Sequence, residues 1–236
     1  MIAVIVPVCN EEERIGACLR ALLHAARHPG LAGEPVRVWV VLNGCTDRSE
    51  AIVRNSGAEV VVLEQANVGR ARAAGCDQAI AHGARWLAFT DADTIVAPDW
   101  FAAQLALGAD VVCGTVQVDD WSAHGEHAPQ LDRHFRATYT DRDSHAHVHG
   151  ANLGVATAAY LAAGGFADLA CSEDVALVGT LQRSGASIAW SAKPRVTTSA
   201  RRDARARGGF GDTLLAVVRG SQREGLGGLS EALAPG

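Results

Sequence analysis

Apolar runs of four to seven residues recur along this chain, each followed by a longer stretch whose apolar positions return every third or fourth residue. Runs at 2–6, 36–42, 59–63 and 86–90 read as strands, and segments 12–27, 47–55 and 68–82 read as helices. The strand runs are continuous rather than alternating, so both of their faces are buried. Strands of that kind, separated by helices, predict an α/β fold with a Rossmann-like, mostly parallel central sheet covered by helices on both faces. A helix over 98–107 and a strand over 110–118 continue the pattern. It then breaks: residues 119–149 are polar, rich in histidine and without a clear period. Regularity returns with a strand over 150–155, helices over 158–163 and 173–184, and a strand over 187–190. The last thirty residues are rich in glycine around one apolar segment, 214–218.

In such sheets ligands bind beyond the carboxyl ends of the parallel strands. The first four ends carry Pro7-Val8-Cys9-Asn10-Glu11, Asn43-Gly44-Cys45-Thr46-Asp47, the segment Glu64 to Arg72, and Asp91-Ala92-Asp93. Topology alone predicts that these converge. Asp91 and Asp93 stand two apart after an apolar run; if the strand continues through them, both carboxylates point the same way and can meet one hard cation. The competing reading of the pair is a turn whose Asp oxygens satisfy backbone amides ahead of Pro98.

Length and composition narrow the picture. A chain of 236 residues that is 48% hydrophobic can bury one substantial core, and one domain is expected. No apolar stretch approaches the roughly 18 residues of a bilayer span, and the chain opens at once on a strand, so a cytoplasmic protein without a transmembrane segment is expected. Six cysteines, at 9, 18, 45, 76, 113 and 171, form neither a CxxC pair nor a dense framework, which predicts reduced thiols. A formal charge of -5 argues against a nucleic-acid partner, yet arginines 195, 201, 202, 205 and 207 gather near the end. That basic cluster suits phosphates or peripheral contact with a membrane.

Taken in order, VIVPVCNEEERI, VLNGCTDRSEAI, NVGRARAAG, TDAD, GANLGVATAAYLAAGGF and CSEDVAL resemble the motifs of the family 2 glycosyltransferases of the GT-A fold. A lone DXD is weak, but six motifs in sequence are specific, and they run from Ile2 to about Ser184. The resemblance implies a GT-A domain over 1–220, with a nucleotide-sugar half over 1–118, an acceptor half over 119–200, a basic segment over 201–220 and a mobile tail over 221–236. It implies an inverting, metal-dependent transfer of a sugar from a nucleoside-diphosphate sugar, a UDP-sugar by preference, to an acceptor hydroxyl. The alternatives are a nucleotidyltransferase and a nucleotide-sugar-binding module without turnover. The first normally needs a Gly-rich basic loop after strand one, where this chain has Pro7–Glu11.

Carried over position by position, the resemblance gives nucleotide contacts to Pro7, Val8, Asn10, Glu11, Asn43, Arg72, Asp91 and Ala92. Asn43 stands where the family commonly carries an aspartate that reads the base. Asp47 is a further contact, with helix capping as its competing role. Arg72 can meet the base or diphosphate through a planar, charge-assisted contact. Asp93, with His149, is expected at a Mg²⁺ or Mn²⁺ ion that stabilises the departing diphosphate. Asp174 corresponds to the general base that removes the acceptor proton. Gly150, Ala151, Asn152, Glu173, Arg201 and Arg202 are expected on the acceptor side. His145, His147 and His149 alternate so that a strand presents all three on one face. A zinc site there lacks a fixed fourth ligand, and His124 and His127 are expected in a mobile loop.

Overall fold

A computed structural model of the chain describes residues 1–64 and 67–201. These divide into two compact units, residues 1–119 with 140–199, and residues 120–139 with 200–201. The first holds the α/β domain. Its elements in chain order are β1 (Ile2–Val8), α1 (Ile15–Ala25), β2 (Val36–Asn43), α2 (Ser49–Arg54), β3 (Glu59–Leu63), α3 (Val68–Ala81), β4 (Trp86–Phe89), β5 (Thr94–Val96), α4 (Trp100–Leu105) and β6 (Val111–Gln117). The second unit contributes α5 (Ala128–Thr138), and the first resumes with β7 (Leu153–Ala156), α6 (Thr157–Ala162), α7 (Glu173–Arg183) and β8 (Ile188–Thr198). Among the described residues no helix is long and apolar enough to cross a membrane.

The strands form one sheet in the order β3-β2-β1-β4-β7-β6-β8-β5. Strands β3, β2, β1 and β4 are parallel; β7 runs antiparallel between β4 and β6; β6 and β8 are again parallel, and β5 closes the edge antiparallel to β8. The mostly parallel sheet expected from the apolar runs is therefore present. One core forms where Ala3, Ile5, Trp39, Val41, Leu87 and Phe89 meet Ala71, Cys76 and Ala79 of α3 and Leu177, Val178 and Leu181 of α7. The alternate residues Ile2, Val4, Val6, Val40 and Leu42 are buried equally, which explains the unbroken apolar runs. Close approach of α3 to the sheet depends on Gly75: a Cβ there would lie 2.7 Å from Ile5 Cγ2 and 3.0 Å from Val41 Cγ2.

Three parts of the architecture differ from the sequence reading. The last strand runs to Thr198 rather than Trp190, because three residues, Ala192, Lys193 and Pro194, loop out of its ladder between Ser191 opposite Gly114 and Arg195 opposite Thr115. A bulge is where a strand tolerates proline, and Asp143 fixes this one by accepting from Ser191 Oγ at 2.8 Å and Ala192 N at 2.9 Å. The polar stretch 119–149 contains a helix, α5, with Pro129 in its first turn and Leu131 fully enclosed. In the same unit Trp121 packs on Phe135, and Phe135 stacks on Tyr139 at 4.6 Å. His124 and His127 lie not in an open loop but in a 3₁₀ turn, where His124 is buried and its Nε2 meets the Ala200 carbonyl at 2.6 Å. The six cysteines are free thiols, three of them, Cys18, Cys76 and Cys113, buried.

Candidate active site

The site grows from the carboxyl ends of β1, β2 and β4 and from the start of α7. After β1 the chain turns through Asn10, whose φ of 55° is a left-handed conformation that asparagine adopts more readily than most residues. Asn10 Oδ1 accepts from the amides of Thr46 at 2.8 Å and Asp47 at 3.3 Å. Asp47 returns the tie: its Oδ2 accepts from Glu12 N and its Oδ1 from Ser49 N, both at 2.9 Å. Ser49 Oγ in turn accepts from Glu11 N at 2.8 Å. The loops after β1 and β2 are thus laced into one wall. Of the expected nucleotide contacts, Pro7 and Asn10 are half-buried, Asn43 closes β2, and Val8 and Glu11 are almost wholly enclosed. Asp47 takes the structural role, its carboxylate engaged at the start of α2 and held below the ordinary carboxylate range; burial opposes that shift and the Ser49 and Glu12 hydrogen bonds outweigh it.

Asp91 and Asp93 are brought to the same edge, but not by strand alternation. β4 ends at Phe89, and residues 91–94 form a turn in which Thr94 N donates to Asp91 O at 3.1 Å. The segment is a turn, as the competing reading had it, but it is closed by the main-chain carbonyl of Asp91 rather than by a carboxylate oxygen. Beneath it lies Cys18 of α1, with its Sγ 3.5 Å from Asp91 O; burial first, then the charges of Asp91 and Asp93, push that thiol far up. Asp93 is half-exposed, whereas Ala92 is buried and offers no side-chain surface to a nucleotide.

Arg72 differs most from expectation. It lies on the second turn of α3, whose start is fixed by the Asn67 side chain accepting from Arg70 N at 2.9 Å. Its guanidinium is only 3% exposed and therefore does not project into a nucleotide cleft. Nη2 donates to Asp91 Oδ1 at 2.7 Å, Nη1 donates to Glu173 Oε1, and the Phe166 ring lies 5.9 Å from Cζ. Glu173, expected on the acceptor side, is likewise buried in this pair; burial pushes its carboxyl up and Arg72 draws it back.

Against the guanidinium lies the segment 149–152. A Cβ on Gly150 would fall 2.2 Å from Arg72 Nη1, so a side chain there would require the guanidinium to move. Gly150 N donates to Asp174 Oδ2 at 2.6 Å and Val175 N donates to Asp174 Oδ1 at 2.8 Å, which orients that carboxylate. Ala151 is buried, and Asn152 is fully enclosed. Asn152 Oδ1 accepts from Trp100 Nε1 at 2.8 Å, while Nδ2 donates to the carbonyls of Thr115 at 2.7 Å and Pro194 at 2.9 Å. Ala151 and Asn152 therefore face inward as framework rather than toward an acceptor. Arg201 is half-buried at the end of the described residues, and Arg202 lies outside them, as do Arg205, Arg207 and the segment 214–218.

The three alternating histidines do line up, although 145–149 pairs with no strand. His145 and His147 stack at 5.5 Å and His147 and His149 at 5.8 Å, with Trp190 edge-on to His145. Stacked rings do not aim three nitrogens at one point. Among the described residues no group of three or more His, Cys, Asp or Glu side chains is disposed to hold a metal ion. Burial, with His147 beside it, lowers the His149 imidazole to about 4, so it is neutral at pH 7. A Mg²⁺ ion does not require a protein cage: one or two carboxylates complete its shell with substrate phosphates and water. The half-exposed Asp93, beside an Asp91 already tied to Arg72, fits that mode.

The model of glycosyl transferase family 2 matches residues 3–160, two thirds of the chain, from β1 into α6; α7, with Glu173 and Asp174, and β8 lie beyond the match. This chain belongs to that family. Among solved structures, Staphylococcus aureus TarS 1–349 in complex with UDP-GlcNAc is similar, with a TM-score of 0.62 and 19% identity over 89% of this chain and 61% of that one. The mannosyltransferase PcManGT from Pyrobaculum calidifontis, in complex with GDP-Man and Mn²⁺, matches with a TM-score of 0.61 and 19% identity over 86% of this chain and 57% of that one. This family member therefore has the GT-A fold and spans about three fifths of the length of these two solved chains. No curated protein matches it. Gly69, which the sequence reading passed over, shows how tightly this member is assembled: a Cβ there would lie 2.4 Å from Ala167 O. The N-x-G pattern opening α3 is the signal that could have found it.

Proposed function

We propose that this chain is an inverting glycosyltransferase that moves a sugar from a nucleoside-diphosphate sugar to an acceptor hydroxyl. The observation that carries this reading is the Asp174 carboxylate, oriented by Gly150 N at 2.6 Å and Val175 N at 2.8 Å, in one cluster with the turn that bears Asp91 and Asp93. A carboxylate holding two amide hydrogen bonds retains lone pairs for a third partner, and the proton of an acceptor hydroxyl is that partner. As Asp174 takes the proton, the hydroxyl oxygen forms a bond to the anomeric carbon. The bond from that carbon to the diphosphate oxygen breaks, and its electron pair leaves with the nucleoside diphosphate. Attack from the face opposite the leaving group inverts the configuration. Asp93 would hold Mg²⁺ or Mn²⁺, which supplies charge stabilisation to the departing diphosphate when bound. Pro7, Asn10 and Asn43 would contact the nucleoside. A UDP-sugar is the first donor to test, given the UDP-GlcNAc complex of TarS, and GDP-mannose the second, given the PcManGT complex.

Thermal-shift titration with UDP, GDP and their sugars in Mn²⁺ should raise the melting temperature for one base, since a ligand that binds only the native state stabilises it. Release of nucleoside diphosphate in the presence of an acceptor panel should then fall at least 100-fold in Asp174→Asn, with donor binding retained. Wild-type protein that binds no donor and releases no nucleoside diphosphate would overturn the proposal.

A further inference from the structure

We infer that Arg72 is a positioning residue that sets the Asp174 carboxylate against the Asp91–Asp93 turn, rather than a contact for the donor nucleotide. This rests on the transferase reading above. Three segments distant in sequence meet on one guanidinium: the turn after β4 through Asp91, the first residue of α7 through Glu173, and the 149–152 segment through Gly150. Asp174 follows Glu173 directly and accepts from Gly150 N, so it is fixed from two sides by groups that themselves bear on Arg72. Asp93 stands two residues from Asp91 in the same turn. The group expected at the leaving diphosphate and the group expected at the attacking hydroxyl are thus spaced by one side chain.

Stability alone does not account for this arrangement. A buried ion pair is often matched or bettered by apolar residues of similar volume, because both charges must be desolvated. Here the Arg72 Nε is also buried with no acceptor, a further unmet demand. Geometry offers the better account. In-line displacement needs base, anomeric carbon and leaving oxygen in register, and displacement by about 1 Å costs on the order of 100-fold in rate. A planar guanidinium with its two terminal nitrogens on separate carboxylates fixes a distance and an angle, which the single ammonium of lysine does not.

The test compares wild type with an Arg72→Met/Glu173→Leu variant, which removes the pair without leaving a buried charge. Donor affinity is measured by calorimetry with UDP or GDP and Mn²⁺, and transfer by release of nucleoside diphosphate in the presence of acceptor. The double variant should melt within a few degrees of wild type and bind nucleoside diphosphate within about threefold, yet lose about 100-fold in kcat. Arg72→Lys should recover part of that loss, and Arg70→Ala, an exposed residue two positions earlier on a different face of α3, should change neither quantity. If the double variant fails to fold, Arg72→Lys and Glu173→Gln carry the test, with kcat reduced about tenfold at unchanged donor KM. A folded variant with kcat within threefold of wild type would overturn the inference, as would weakened donor binding at unchanged kcat. Wild type that turns over while the variants do too sinks this inference alone; wild type without turnover on any donor sinks the transferase reading, and this inference with it.

Discussion

Replacing Asn152 with alanine should destabilise the protein by about 3–4 kcal/mol. Asn152 has no exposed surface, and its amide holds three groups: Trp100 Nε1–H, the Thr115 carbonyl and the Pro194 carbonyl, at 2.7–2.9 Å. Truncation leaves all three enclosed without that partner. Each buried polar group orphaned in this way costs about 1–3 kcal/mol, and because the three share one site the losses do not sum fully. The void left by the amide adds to the cost. Pro194 sits in the β8 bulge and Thr115 in β6, so the damage falls where two strands and the 149–152 segment are joined. At a urea m-value of about 2 kcal/mol per M, the transition midpoint should fall by about 1.5–2 M with little change in slope. Asn152→Asp should be at least as costly at neutral pH, since it sets a carboxylate oxygen where Nδ2 faces two carbonyls. A loss below about 1 kcal/mol, together with a raised KM for acceptor, would refute the framework role and return Asn152 to the acceptor side.

Three further outcomes can be checked. Gly150→Ala should fold but lose transfer about 100-fold, because its Cβ would fall 2.2 Å from Arg72 Nη1 and either the guanidinium or the amide that orients Asp174 must shift; steady-state kinetics at saturating donor reads this. Gly75→Ala should lower stability by about 1–3 kcal/mol in urea denaturation, even though alanine is the better helix former by about 1 kcal/mol, since its Cβ would press on Ile5 and Val41. The His149 imidazole, lowered to about 4 by burial and by His147, should make stability depend on pH. Between about 6.5 and 4 the unfolded chain binds a proton that the folded chain does not, so stability is complete above that window and falls as pH drops through it, by about 3 kcal/mol at most. Urea midpoints measured with a chelator present should flatten across this window in His149→Gln.

The periodicity of the chain located the framework because burial of the parallel strands on both faces leaves a direct trace in composition: every residue from Ile2 to Val6 is enclosed, and the run is unbroken. Helix α5 left a fainter trace. Only Leu131 is fully buried on it, and its partner Phe135 four residues on is a single repeat of the helical period amid polar residues. The end of β8 was hidden by Pro194, which locally denies a ladder hydrogen bond and so looks like a terminus until the bulge is seen. In the candidate site, which segments meet could be read from topology, since strand ends converge wherever a parallel sheet forms. Which side chains face the cleft could not, because that depends on pairings across about 100 positions, such as Arg72 with Glu173.

Arg72 shows the physical reason for that limit. An arginine near a helix start and close to three carboxylates satisfies the chemistry of phosphate recognition and of an internal ion pair equally well. What separates the two is the space above the guanidinium. Gly150 closes it from one side, Phe166 stands 5.9 Å away, and the carboxylates of Asp91 and Glu173 take both terminal nitrogens. A phosphate arriving from the cleft would have to displace an acid that is already held. Among the described residues the Arg72 charge belongs to the internal framework, so on the proposed reading neutralisation of the leaving group would fall to the cation that Asp93 would hold. Metal dependence should accordingly be steep: turnover in chelator should fall at least 100-fold and return with Mn²⁺ or Mg²⁺, and turnover that persists without a divalent ion would show that another cation of the chain reaches the diphosphate.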